Sequence, residues 1–173
     1  MGYTWRVHSG CRLHTSLDPE MVTQMEIRIA ENEAELQQCL QVRMEVFVGE
    51  QNVPADLEVD EFDVYPFNCT HVLVTDGGQP VGAARLRGYE NNSAKYQRIA
   101  VLKSYRGQGV GALLLGALDK IAIEQGYSSA VLDSQCQAEA FYSKSGFHVV
   151  STETFLDAGI PHVRMTKTFE VKA

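Results

Sequence analysis

The part of the chain that most restricts its fold is one continuous stretch, residues 96–126, centred on IAVLKSYRGQGVGALLLGALDKIAIEQG. Residues 96–102 are apolar and β-branched enough for a buried strand, and from Val110 the residues Val110, Leu114, Ala117, Leu118 and Ile121 recur at helical spacing. Between strand and helix lies Arg106-Gly107-Gln108-Gly109-Val110-Gly111. Its three glycines place no Cβ where the first N–H groups of a helix point outward without partners. Those N–H groups, the positive end of the helix dipole and the Arg106 guanidinium together favour a phosphate or diphosphate. A tight turn that binds nothing would account for the same glycines. Nucleotide fingerprints fail on spacing: no lysine follows Gly111 as a P-loop requires, and the glycines read G-x-G-x-G rather than the dinucleotide pattern G-x-G-x-x-G.

The stretch resembles the signature of the GNAT superfamily of acetyl-coenzyme A dependent N-acetyltransferases, Arg/Gln-x-x-Gly-x-Gly/Ala after a strand and opening a helix. Arg106, Gly109 and Gly111 hold those three places, and Tyr105 the aromatic place ahead of them. The segment VLDSQCQAEAFYSKSGF supplies the family's next strand, a short helix with a tyrosine, and a Gly-Phe pair. Two further stretches, EVFVGEQNVPADLEVDEFD and DAGIPHVRM, are similar to the ElaA-like branch, and the resemblance spans roughly residues 26–169.

With 173 residues, 45% hydrophobic and 21% charged, the chain can bury one core and reads as a single domain, residues 25–173. Residues 1–24 lack the apolar run of a signal peptide and are taken as an extension outside the fold. A net charge of −7 argues against a general nucleic-acid partner and leans toward an amine substrate. Cys11, Cys39, Cys69 and Cys136 show no metal or disulfide spacing, so no metal is expected and a reducing cytoplasm fits. No membrane association is expected.

Pattern along the chain predicts strands over 26–30, 70–75, 80–89, 96–102, 129–133, 147–150 and 163–169. Helices are expected from Glu33, with Leu36, Cys39, Leu40, Met44, Phe47 and Val48 on its apolar face, then over 108–125 and 138–145, while 52–63 reads as a loop or a short irregular helix. Gly126 is placed as the residue ending the long helix. The expected architecture is an α/β domain of the α+β type, a mixed twisted sheet of six or seven strands flanked by four helices.

The resemblance implies acetyl-coenzyme A as cosubstrate, its diphosphate on Arg106, Gly107, Gln108, Gly109, Val110 and Gly111. Its pantetheine arm would lie along Ile99, Ala100 and Val101, near Tyr142. It also implies that the strand before the loop and its parallel successor splay, freeing backbone N–H groups to polarise the thioester. Direct attack by a primary amine needs no covalent nucleophile. A lysine-like amine is neutral only about once in 2,500 molecules at pH 7, a deficit of about 4.6 kcal/mol, so a base should assist. His162, in GIPHVRM where Gly159 and Pro161 set a turn, is the first candidate, since imidazoles titrate near neutrality; a hydrogen-bonded turn histidine is the competing reading. By the resemblance Tyr142 holds the position of the family's general acid for the leaving thiol; a core tyrosine with a satisfied hydroxyl is the competing reading.

The acidic run Asp56, Glu58, Asp60, Glu61 and Asp63 reads either as solvated surface or as a surface recruiting an ammonium group, with Glu61 and Asp63 favoured and available as alternative bases if burial raises them. Arg43, Arg85 and Arg87 could face an acidic acceptor group or simply decorate the surface, and spacing does not separate the two; Arg43 is kept as a substrate contact. His71 and His148 lie in strand patterns and read as structural. The reading in another class is a non-catalytic coenzyme A sensor or docking module, independent of Tyr142 and His162. A homodimer through the last strands is an expectation carried by the family alone.

Overall fold

The computed structural model describes residues 4–6 and 25–170. The first half forms a run of antiparallel strands: β1 (Thr4–Arg6), β2 (Met25–Ile29), β3 (Thr70–Asp76), β4 (Gln79–Tyr89) and β5 (Ser93–Val101), each paired with the one before. β6 (Ser129–Gln135) joins β5 in parallel, β9 (Ile160–Thr168) pairs antiparallel with β6, and β7 (His148–Val149) and β8 (Phe155–Asp157) both pair with β9. The result is one nine-stranded mixed sheet. β1 and β8 exceed the expected strands, and β1 lies in a segment expected outside the fold: Thr4, Trp5 and Arg6 pair with Arg28, Ile27 and Glu26. The rest of the 1–24 segment lies outside the described residues.

Helices cover both faces. α1 (Glu33–Arg43) is started by Asn32, whose side chain accepts from the Glu35 N–H at 3.0 Å, while the Glu35 carboxylate accepts from the Glu31 N–H at 2.7 Å. It runs on as a π-helical turn, Met44–Glu50. The buried face is Leu36, Cys39, Val42, Arg43 and Val46, while Leu40, Met44, Phe47 and Val48, expected on the apolar face, are only partly buried. Cys39, Val42 and Val46 pack on Leu73, Ala83 and Ala100. A single turn, α2 (Ala55–Glu58), follows.

The opposite face carries α3 (Val110–Glu124), whose Val110, Leu114, Leu118 and Ile121 pack among Val74, Leu86, Tyr96, Leu132 and Met165 in the main core. α3 begins at Val110, two residues later than expected, because Gly109 is left-handed at φ +83°. It ends as expected at Gly126, φ +84°, where the Tyr127 and Gly126 N–H groups bond back to Ala122 O and Ile123 O at 3.0 Å each. α4 (Glu139–Lys144) follows β6.

Candidate active site

The cleft originates in one irregularity. Ala83 pairs with Ala100 but Arg85 pairs with Gln97, so Arg98 and Ile99 together oppose Ala84 alone. Arg98 takes the left-handed conformation, φ +55°, and β5 bends at this bulge. Its parallel pairing to β6 ends at Tyr96 with Leu132, while β6 continues along β9 as far as Gln135 with His162. Strand ends Gln97–Val101 and Asp133–Gln135 therefore diverge, and the edge of β5 facing the gap has no partner strand beyond Tyr96. A cleft of about 290 Å³ occupies the gap.

Ile99, Ala100, Val101, Arg106, Tyr142 and His162 line this cleft, so residues distant in sequence and expected to act together do meet. At the glycine turn, Gly107 and Gly109 have φ of +73° and +83°, and nothing stands within 4 Å of where a Cβ would be on either. They are glycines for conformation and leave the start of α3 open. Gly111 has a different reason: its Cβ would stand 2.9 Å from Phe141 Cζ, so it admits α4 against α3. The Val110 side chain is buried in the core and Gln108 is turned back to Ser104 O at 2.8 Å, leaving only their backbone groups to the turn. The Arg106 guanidinium is not a free cation as expected. It donates to both carboxylate oxygens of Glu50 and to Val101 O at 3.1 Å, tying the glycine turn to the end of the π-helical turn.

His162 sits within β9 rather than in the turn, which is Ala158-Gly159, φ +48° and +76°, closing the β8–β9 hairpin; Pro161 pairs in the strand with Leu156. The ring stacks on Phe155 at 6.0 Å and is 8% exposed. Its Nδ1 lies 2.7 Å from Ile160 O. A carbonyl only accepts, so Nδ1 carries the hydrogen and Nε2 keeps the lone pair of the neutral ring. Tyr142 packs edge-on to Phe141 and Phe147 at 5.1 and 6.2 Å. Burial pushes its hydroxyl up to about 12, keeping it a proton donor at neutral pH.

The acceptor-recruiting expectation for Arg43 and Asp63 is corrected. Arg43, 1% exposed, donates to Glu58 Oε1 at 2.6 Å and to Asp63 at 2.6 and 2.9 Å; Arg85, fully buried, holds Asp60 and Asp63. Arg98 adds Glu58 and Asp60. Three arginines thus balance three carboxylates in a buried network that fixes the segment 55–63 on the sheet. Burial alone would raise the Asp63 carboxyl, but hydrogen bonds and charge from Arg43 and Arg85 hold it down to about 2, the opposite of what a base needs. Glu61 is exposed and does not line the cleft. His71 is buried with Nε2 3.0 Å from Phe62 O. Sequence reasoning missed Gln51, Lys95, Arg98, Asp133 and Gln135 on the cleft wall, and placed Phe47 and Glu58 only on the apolar face of the first helix and in the acidic run. The pairing of an acidic run with arginines at 43, 85 and 98 was the available signal for the network.

The family model for the acetyltransferase (GNAT) domain matches residues 30–169. The chain belongs to the GNAT acetyltransferase family. It is 48% identical over 143 residues to YjcF of Bacillus subtilis (strain 168), described as an uncharacterized N-acetyltransferase, covering 83% of this chain and 99% of that protein. Among solved structures, an acyl-CoA N-acyltransferase from Pseudomonas aeruginosa superposes with a TM-score of 0.73 at 28% identity, covering 84% of this chain and 99% of the other. Escherichia coli ElaA gives 0.72 at 25% identity, again 84% and 99%. PaiA N-acetyltransferase from Thermoplasma acidophilum, in complex with coenzyme A, shares the fold at a TM-score of 0.64 and 18% identity, covering 84% of this chain and 99% of that one. As a GNAT protein the chain is an acyltransferase by family, and its mixed sheet with four α-helices is the GNAT fold. Among the described residues no group of three or more His, Cys, Asp or Glu could hold a metal, and no helix is long and apolar enough to cross a membrane.

Proposed function

We propose that the protein is an acetyl-coenzyme A dependent N-acetyltransferase acting on a small primary amine by direct attack. The observation that carries this reading is the divergence of β5 from β6 with His162 and Tyr142 both on the walls of the gap. The residues present fit the cosubstrate. The open, left-handed Gly107 and Gly109 leave the N-terminus of the 15-residue α3 free for a diphosphate, and the unpaired edge of Gln97–Val101 offers backbone groups to an amide-bearing arm. When bound, acetyl-coenzyme A supplies the acyl carbon as a thioester.

The chain's own groups then manage protons and position. Nε2 of His162 accepts a proton from the acceptor nitrogen, whose freed lone pair attacks, with Nδ1–H anchored on Ile160 O so that the ring cannot turn. The Tyr142 hydroxyl donates a proton to the departing sulfur as the carbon–sulfur bond breaks and the carbon–nitrogen bond forms. Free N–H groups of the β5 edge stabilise the charge developing on the carbonyl oxygen, an effect of about 3 to 4 kcal/mol for a single donor.

Calorimetry with acetyl-coenzyme A tests the reading, followed by a screen of amines for thiol release. Tight binding that is lost in Gly109→Glu supports it. Folded wild-type protein that binds no acetyl-coenzyme A overturns it.

A further inference from the structure

The acceptor side of the cleft carries a charge pattern that the acidic run does not explain. Arg87, Lys95 and Arg164, from β4, β5 and β9, converge on the ring of Tyr89 at 5.4, 5.2 and 5.8 Å from its centroid. Among the described residues Asp133 is the one carboxylate paired with these three cations. It accepts from Lys95 Nζ and, on both oxygens, from Arg164 at 2.8 and 3.2 Å. Arg87 spends its hydrogen bonds on neutral acceptors, Gln97 Oε1 and Gly88 O, at 3.1 Å each. The neighbouring network of Arg43, Arg85 and Arg98 with Glu58, Asp60 and Asp63 is already balanced. Three cations against one carboxylate leave a local surplus of positive charge in a chain whose net charge is −7.

The cluster adjoins the cleft, which Lys95 alone of the three cations lines. Lys95, only 4% exposed, and Asp133 line the same cleft as His162. In the β6–β9 ladder Asp133 is opposite Arg164 and Gln135 is opposite His162, so Arg164 and His162 lie two residues apart on one face of β9. Their Cα atoms are about 7 Å apart along the strand, within the span of a small bifunctional molecule. A buried lysine beside one shared carboxylate is costly to keep charged unless a further anion completes its surroundings.

Building on the acyl-transfer reading, we infer that Lys95 and Arg164, seated on Tyr89 and bridged by Asp133, form a subsite for an anionic group, a carboxylate or phosphate, carried by the amine acceptor. The acceptor is then an amino acid-like or phosphorylated amine, not a polyamine. Its amine reaches toward His162 while its anion is held two residues further along β9.

The test uses protein saturated with coenzyme A, so that the glycine turn does not take up the probe. Millimolar inorganic phosphate or acetate should raise the melting temperature of the wild type and do so less in Lys95→Met and in Arg164→Gln, the second at a more exposed position. Turnover of matched pairs, glucosamine against glucosamine 6-phosphate and pentylamine against 5-aminopentanoate, then separates phosphate from carboxylate. The anionic member of one pair should be preferred by about tenfold or more in kcat/KM, and Lys95→Met should erase that preference through KM. An equal thermal response in wild type and variants, or preference for the neutral amines or for spermidine, overturns the subsite while leaving acyl transfer standing. Failure of coenzyme A to bind at all sinks the acyl-transfer reading instead.

Discussion

Arg98 and Glu58 are joined twice: the Arg98 Nε donates to Glu58 O at 3.2 Å and stands 3.2 Å from its carboxylate Oε2. This fastens the segment after α1 to the bulge that bends β5 away from β6, so one arginine sets both the opening and the acceptor wall of the cleft. Arg98 is left-handed, a conformation that costs a residue with a Cβ about 1 kcal/mol relative to glycine. Arg98→Ala should therefore lose the pairing and keep the strain, whereas Arg98→Gly loses the pairing alone. Urea unfolding should rank the two variants below wild type, with Gly above Ala by about 1 kcal/mol.

Gly111→Ala places a methyl 2.9 Å from Phe141 Cζ, beside the residue that carries the proposed proton donor. Phe141 is partly exposed and can give way, so a loss of about 1 kcal/mol is expected, at the lower end for overpacking. Turnover should fall as Tyr142 is displaced. Adding Phe141→Leu should recover both stability and rate, and a double-mutant cycle measures the coupling.

Asp63→Asn removes one carboxylate from between Arg43 and Arg85, and should destabilise by about 3 kcal/mol. The wild type should also show a matching acid dependence. Asp63 is held down to about 2 in the folded state against an ordinary value of 3.8, so its contribution is fully present above that ordinary value and disappears as pH falls through about 2. A shift of this size corresponds to about 2 kcal/mol. Denaturant titrations between pH 6 and pH 2 should show that loss in the wild type and a flatter profile in Asp63→Asn.

Tyr142→Phe and His162→Ala should leave acetyl-coenzyme A binding within a few-fold by calorimetry while lowering kcat by about 10²-fold or more. Because burial holds the Tyr142 hydroxyl near about 12, the wild-type kcat should show no alkaline decline from this group between pH 7 and pH 10. Unchanged turnover in both variants would remove these residues from the mechanism and leave acyl transfer standing on other groups.

What the sequence determined by itself is local. The glycine turn, the end of α3 at Gly126, the hairpins and the apolar, β-branched runs of the central strands follow from short-range backbone preferences that few neighbours can override, and the family likeness was legible in those same residues. Tertiary structure decided the rest. An arginine at position 98 gives no hint of a left-handed bulge, since that conformation is imposed by the register between β4 and β5 and by carboxylates from residues 58 and 60. Arg43 and Asp63 looked available for a substrate because spacing cannot show that they meet each other in the interior. Gly111 looked like part of the anion site, while its space is taken by a ring 30 positions later. The charge surplus around Tyr89 arises only when three strands distant in sequence lie side by side, because a charge acquires its surroundings from the fold and not from its neighbours along the chain.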